Sequence, residues 1–264
     1  MNWKFISLIM LLSVTSPAAF EVQTLNASAV ALGSIASLYA GSSNPACFLT
    51  DETLYLRVDY TRLFGLTGLD YYQAKGLWKF REQRQLGIGF KNFGNRIYQE
   101  KTLGICYGHQ LKNLLALGLS VQLYNVAITG CQNSTALGLS LGSVWDLDDD
   151  IQVGMLLQNV NSPAIYGQYD PLPECFLLGI RYTPVSKIDL CGELFKDTEF
   201  PFSFRMGTII RPLPFVELKL GAQLNPDRYA GGISLYLKGI YLDFAYQHHQ
   251  VLPYTLYYGI GYGF

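Results

Sequence analysis

Nine charged residues sit at alternate positions within otherwise apolar or small-residue segments: Arg57, Asp59, Arg181, Asp189, Glu193, Arg205, Glu217, Lys219 and Asp243. In an extended strand, alternate side chains share one face, so these groups are expected to point to one side of a sheet. Two chemistries suit such a set. The charges can form a constriction that selects solutes, or they can pair with one another to fill an enclosed space. Acids and bases are nearly balanced in the set, which argues against ion selectivity and favours pairing. Glu193, Arg205 and Glu217 fall on three successive segments and are expected to form one cross-strand ladder.

The remaining reactive residues point to no catalysis. His109, His248 and His249 are the only histidines. Membrane-barrel hydrolases pair His with Ser, but no Gly-x-Ser-x-Gly elbow occurs here and no Ser stands beside a base. His248-His249 reads as ordinary loop surface. Asp148-Asp149-Asp150 lacks the interleaved oxygen ligands and Gly of a calcium loop and reads as a polar turn. The five cysteines match no zinc spacing. Cys131 and Cys175 lie in or beside neighbouring loops, and a disulfide between them is open in an oxidising compartment. The sequence thus leads us to expect no enzyme, no metal and no cofactor.

The elements that carry these residues are strands. Leu115–Leu123 places a large apolar residue at every odd position and a small or polar one at every even position, and Leu137–Gly142, Val216–Gly221 and Tyr254–Phe264 repeat the pattern. Breaks such as Pro184-Val185-Ser186, Arg211–Pro214, Asn225-Pro226-Asp227 and Lys238-Gly239 are chain reversals. The spacing predicts fourteen strands, over 53–63, 67–79, 84–92, 100–110, 114–126, 135–145, 151–160, 175–183, 187–197, 201–211, 215–224, 228–237, 240–248 and 254–264. Each is near the roughly 9–11 residues that cross a bilayer at a tilt.

Composition decides which way such a sheet faces. Half of the 264 residues are hydrophobic and only 15% are charged, against about 25% in ordinary soluble domains. Disorder is excluded by that apolar content. Past the N-terminus no apolar run reaches the roughly 18 residues of a spanning helix. A net charge of −1 gives no footprint for nucleic acid. The polar face of the strands is rich in Gly, Ser and Tyr rather than Lys and Glu, which suits a barrel lumen better than a solvated surface. Tyr55, Tyr60, Tyr71, Tyr72, Trp78, Tyr124, Trp145, Tyr182, Tyr229 and Tyr254 cluster near segment ends, as in interfacial girdles. An all-β, antiparallel, up-and-down transmembrane barrel of about fourteen strands follows. The longer connections Ala127–Ser134, Asn161–Glu174 and Gln247–Pro253 fall at one end and the short turns mostly at the other.

Residues 1–19 read as a secretory leader. Met1–Lys4 carries a positive charge, Phe5–Val14 is apolar and Ser16-Pro17-Ala18-Ala19 supplies small residues for a cut after Ala18 or Ala19. Residues 20–51 are assigned to a segment that plugs the lumen, and 52–264 to the barrel. Inward glycines (Gly87, Gly89, Gly104, Gly118, Gly138, Gly142, Gly154, Gly179, Gly207 and Gly221) are expected to leave the space this segment needs, with strand bending at these points as the alternative. The last strand aligns Tyr258, Ile260, Tyr262 and Phe264 on one face, which is similar to the C-terminal assembly signal of bacterial outer-membrane barrels.

Ser42-Ser43-Asn44-Pro45-Ala46, just before the first strand, resembles the N-terminal segment of FadL-type channels for hydrophobic compounds. Together with Leu157–Pro163, Gly179–Tyr182, Glu193–Asp197 and Asp243–Tyr246, it looks still more like the related PorV/PorQ outer-membrane barrels associated with type IX secretion. The resemblance implies a fourteen-stranded barrel in a Gram-negative-type outer membrane, with Asn44, Pro45 and Ala46 as the plug motif. It implies as partners outer-membrane lipid, the barrel-assembly machinery and a secretion-system or cargo protein bound by outer loops. The alternative it implies is a passive channel for long-chain fatty acids or other hydrophobic small molecules, its plug gating a path through the wall. A purely structural envelope barrel is the third reading.

Overall fold

The computed structural model describes residues 19–20, 24–39, 43–47, 49, 52–111, 114–167 and 170–264. Residues 1–18 of the expected leader, and 21–23, 40–42, 48 and 50–51 of the expected plug, lie outside the described residues.

Fourteen antiparallel strands close into one barrel. The first seven are β1 (Leu54–Arg62), β2 (Asp70–Arg81), β3 (Arg84–Gly94), β4 (Tyr98–Leu111), β5 (Leu115–Ile128), β6 (Ser134–Asp146) and β7 (Ile151–Gln158). A two-residue pair, β8 (Ala164–Ile165) and β9 (Asp170–Pro171), stands apart in the following loop. The wall resumes with β10 (Cys175–Val185), β11 (Ile188–Asp197), β12 (Ser203–Leu213), β13 (Val216–Leu224), β14 (Arg228–Leu237), β15 (Ile240–His249) and β16 (Thr255–Gly263). Each strand pairs with its sequence neighbour, β7 with β10, and β16 returns to β1 with Tyr55 opposite Gly263 and Arg62 opposite Leu256. Every expected strand is present, most within two residues of its expected ends. The largest shift is at β2, which starts at Asp70 rather than 67. The turn at Leu63–Gly65 and the left-handed Gly68 (φ +91°) delay it.

The period of two sets the faces. Leu117, Leu119 and Leu123 of β5 are exposed while Ala116, Ser120 and Tyr124 of the opposite parity are buried. The same division holds around the wall, so the outward belt carries Ile88, Ile105, Leu220, Tyr258 and Ile260. Leaving a Leu or Phe side chain in water instead of burying it costs roughly 1.5–3 kcal/mol. A belt of this kind on all wall strands but β7 is a lipid-facing surface, not a water-facing one. The expected aromatic girdle is correct for Tyr72, Trp78, Trp145, Tyr182, Tyr229 and Tyr254, which are exposed. It is wrong for Tyr55, Tyr71 and Tyr124. They are buried because they share the parity of inward residues such as Arg57, Gln73 and Ser120.

One end of the barrel holds the start of β1, the end of β16 and short turns such as 82–83, 186–187, 214–215 and 238–239. The other end holds 63–69, 129–133, 159–174, 198–202 and 250–254, with 95–97 and 225–227 as short exceptions.

The described residues from Thr24 to Leu49 are mostly buried against the inward face. A five-residue helix, α1 (Ala27–Ala31), is capped by Asn26, whose Oδ1 accepts the Ala29 N–H at 3.0 Å, and packs on β13–β16. The glycines opposite the segment leave it room. A methyl group on Gly207 would meet the Leu32 carbonyl oxygen at 2.8 Å, and one on Gly118, Gly142, Gly179 or Gly221 would overlap Pro45, Asn44, Ser37 or Gly33. At Gly89 and Gly104 an added methyl group would meet none of these residues.

An outward charge tests the orientation. Leu220 lies midway along β13 facing out. Leu220→Arg is expected to lower folding stability in lipid vesicles by about 2–4 kcal/mol, read by urea titration. A barrel whose outer face met water would show no such loss.

Candidate functional site

Seven inward charges form one chain of ion pairs that alternates in sign. Arg57 is held by Asp59 at 2.7 Å and by Asp243 at 2.6 Å. Lys219 lies 3.9 Å from Asp243 and 2.8 Å from Glu217. Arg211 joins Glu217 at 2.9 Å to Asp189 at 2.7 Å. The order Asp59, Arg57, Asp243, Lys219, Glu217, Arg211, Asp189 spans β1, β15, β13, β12 and β11 and gives each buried charge an opposite neighbour, which burial requires. Hydroxyls complete it. Lys219 Nζ donates to Ser28 at 2.6 Å and Ser234 at 2.5 Å, Ser234 donates to Asp243, and Tyr236 donates to Glu217 at 2.5 Å. The ring also holds the helix end, since Asp59 accepts the Ala27 N–H at 3.3 Å.

Glu193 and Arg205 form a separate clamp. Arg205 donates to Glu193 at 2.8 Å and to the Ser34 carbonyl at 2.8 Å, its guanidinium 4.1 Å from the centre of the Phe195 ring. The second oxygen of Glu193 accepts the N–H groups of Ala36 (2.9 Å) and Ser37 (2.8 Å) and the Ser37 hydroxyl (2.6 Å). Glu217, expected in this ladder, is not part of it. In register, Arg205 faces Glu193 on one side and Gln223 on the other, while Glu217 lies nearer the short-turn end, opposite Ser234. Arg211 took the place expected for Arg205. It shares the inward parity of Arg205 and Gly207, a signal obscured because Arg211-Pro212 read as a turn. Arg181 joins neither group and lies 5.8 Å from the centre of the Tyr39 ring.

Asn44 fastens the segment to the wall near β6 and β7. Its side-chain NH₂ donates to the carbonyls of Ser37 (2.7 Å), Met155 (3.2 Å) and Ser143 (3.3 Å), and its oxygen accepts the Ala46 N–H at 2.9 Å. Gln85, absent from the expected set, accepts the Leu49 N–H at 3.0 Å and donates to the Cys47 carbonyl at 3.2 Å.

Two sequence expectations are corrected here. No disulfide joins Cys131, which is exposed, to Cys175, which is buried among Ala36, Leu156 and Phe195. Cys175 faces the lumen rather than the loop that holds Cys131. His249 is buried rather than surface, 3.1 Å from the Thr255 hydroxyl and edge-on to Phe64. Asp148 behaves as expected, its side chain accepting the N–H groups of Asp150 and Ile151 to shape a turn. Tyr258, Ile260, Tyr262 and Phe264 face outward together.

The segment separates two cavities, the second richer in rings than the first. Toward the short-turn end lies a space of about 540 Å³ bordered by Arg57, Lys79, Arg181, Arg211, Glu217 and Asp243 on the wall and by Asn26, Ser28 and Tyr39 on the segment. Burial pushes the Tyr39 hydroxyl well above its ordinary value, so it stays neutral there. Toward the long-loop end lies a space of about 520 Å³ whose lining includes the rings of Phe64, Tyr71, Phe93, Phe195, Phe200 and Tyr257, with Glu100, Arg205, Arg228 and His249 beside them and Thr24 and Ser34 of the segment at its border.

No family model matches the chain, and no curated protein matches it. Among solved structures it is similar to the toluene transporter TbuX of Ralstonia pickettii, with TM-score 0.70 and 11% identity over 93% of this chain and 100% of that one. It is also similar to the monoaromatic hydrocarbon channel CymD (0.68, 14%, 93% and 99%) and the Pseudomonas putida toluene transporter TodX (0.67, 13%, 93% and 98%). At such identities the likeness shows the fold alone. The PorV/PorQ half of the resemblance gains no support from them.

The clamp and the ring differ in how they tolerate loss. Glu193→Ala strands Arg205 and frees three donors of residues 36–37, and is expected to cost about 3–5 kcal/mol. Glu217→Ala is expected to cost clearly less, because Arg211 keeps Asp189 and Lys219 keeps its two hydroxyls. Urea unfolding in detergent micelles measures both.

Proposed function

We propose that this protein is a passive outer-membrane channel for small hydrophobic molecules, with residues 20–51 as a hatch held in the lumen. The observation that carries the reading is the aromatic cavity at the long-loop end. Its volume falls in the range of small-molecule sites, roughly 300–1,000 Å³, and its lining offers rings to an apolar guest. An apolar molecule entering it leaves water at a gain of about 25 cal/mol per Å² of surface. Fold likeness to toluene and monoaromatic hydrocarbon channels supports the same reading. In it, the leader at 1–19 directs export, the outward C-terminal aromatics serve barrel assembly, and Asn44-Pro45-Ala46 seats the hatch. A secretion partner has no comparable surface feature to recommend it.

Tyr71 and Phe93, with ring centroids 5.1 Å apart, form one side of the cavity. Cells carrying the protein are expected to take up radiolabelled toluene faster than cells without it. Tyr71→Ala combined with Phe93→Ala is expected to lower that uptake severalfold, because the guest loses the apolar surface of both rings. Uptake indifferent both to the protein and to the double substitution would reject the channel reading.

A further inference from the structure

Five carboxylates are buried among the described residues: Asp59, Glu100, Asp189, Glu193 and Asp243. Four of them have an Arg or Lys within ion-pair distance. Glu100, 8% exposed on the inward face of β4, has none. Its partners are the Tyr98 hydroxyl at 2.7 Å and the backbone nitrogen of Phe20 at 3.1 Å. A buried carboxylate without a counter-charge is costly, and two neutral donors do not supply one.

Phe20 stands immediately after the small residues Ser16-Pro17-Ala18-Ala19. Its ring meets Tyr124 edge-on at 4.9 Å and joins a cluster with Val126, Ile165 and Leu172, so its position is set by packing independent of Glu100.

We propose that Glu100 receives the amino terminus created when the leader is removed. Water adds across the cut peptide bond, the leader keeps the new carboxylate, and the mature chain keeps an amine that protonates near neutral pH. A cut after Ala19 makes the Phe20 nitrogen itself that ammonium, already in contact with Glu100. A cut after Ala18 places it one residue away, within about 3.8 Å of chain. Processing thus supplies the cation that Glu100 lacks and fixes Phe20 in the lining of the aromatic cavity. The proposal rests on the reading that residues 1–19 include a removable leader.

The protein purified from membranes in detergent provides the test, by mass spectrometry of its N-terminal peptide and by acylation of its α-amine across pH. The mature chain is expected to begin at Ala19 or Phe20. In the folded barrel the acylation midpoint is expected to lie at least about one pH unit above that of the same chain unfolded, a tenfold protection at a given pH. Glu100→Gln is expected to abolish that upward shift. A chain still beginning at Met1 would remove the leader reading itself. A start elsewhere would overturn the Glu100 assignment and leave the leader reading standing, as would a folded wild-type midpoint at or below the unfolded one. Because the wild-type profile stands alone, a Glu100→Gln barrel that fails to fold leaves the test intact.

Discussion

Arg57 reaches Asp243 across an intervening strand. The two residues belong to β1 and β15, with β16 between them, and both Asp59 and Asp243 lie in register with Gly259 of β16. A side chain at Gly259 would collide with the Arg57 guanidinium and approach the Asp59 carboxylate within 2.7 Å. The barrel's seam is therefore bridged by a buried guanidinium that passes over a bare backbone. Taking an ion out of water costs several kcal/mol unless an opposite charge waits for it. The ring from Asp59 to Asp189 supplies those charges only when β11–β13, β15, β16 and β1 are all in place, which ties lumen electrostatics to closure of the sheet.

The seating of residues 24–49 follows from the same demand. An irregular segment has no ladder of its own, and its N–H and C=O groups need partners wherever water is excluded. Inward side chains provide them. Glu193 takes two successive N–H groups, Arg205 and Lys79 donate to carbonyls, and Gln85 binds one donor and one acceptor, while the segment's own Asn44 reaches wall carbonyls in return. The wall thus recognises the segment through backbone more than through side-chain shape. That explains why glycines lie opposite it, since each removed side chain lets another stretch of backbone approach.

Strand number, faces and end-to-end polarity were legible in the sequence, because a period of two is enforced locally by the pleat. Which charges meet was not. Pairing depends on register between strands, which alternation along one strand does not encode, so Glu217 was matched with Arg205 when Arg211 and Lys219 stood beside it. Residues at strand ends were the other weakness. His249 and Arg211 both sit where a strand runs into residues that read as a turn, and their inward parity counted for less than their neighbours' chemistry. Gln85 gave no signal, because an amide's role shows only when the backbone it binds is in view.

Tyr71, Phe93 and Tyr257 change how the apolar composition divides. The sequence sends aliphatic residues to lipid and leaves Gly, Ser and Tyr for the lumen, which explains a chain half hydrophobic yet lightly charged. The lumen, however, is itself divided lengthwise. Its short-turn half holds most of the paired charges, and its long-loop half gathers most of the inward rings beside a few charged groups. The boundary falls at residues 24–39, whose helix end meets Asp59 and Lys219 on one side while Thr24 and Ser34 border the aromatic cavity on the other. An apolar guest favoured among the rings would find no such gain beside the ring of ions, where its presence would separate charges that need each other. The segment that fills the barrel therefore also marks where the physical chemistry along its axis changes.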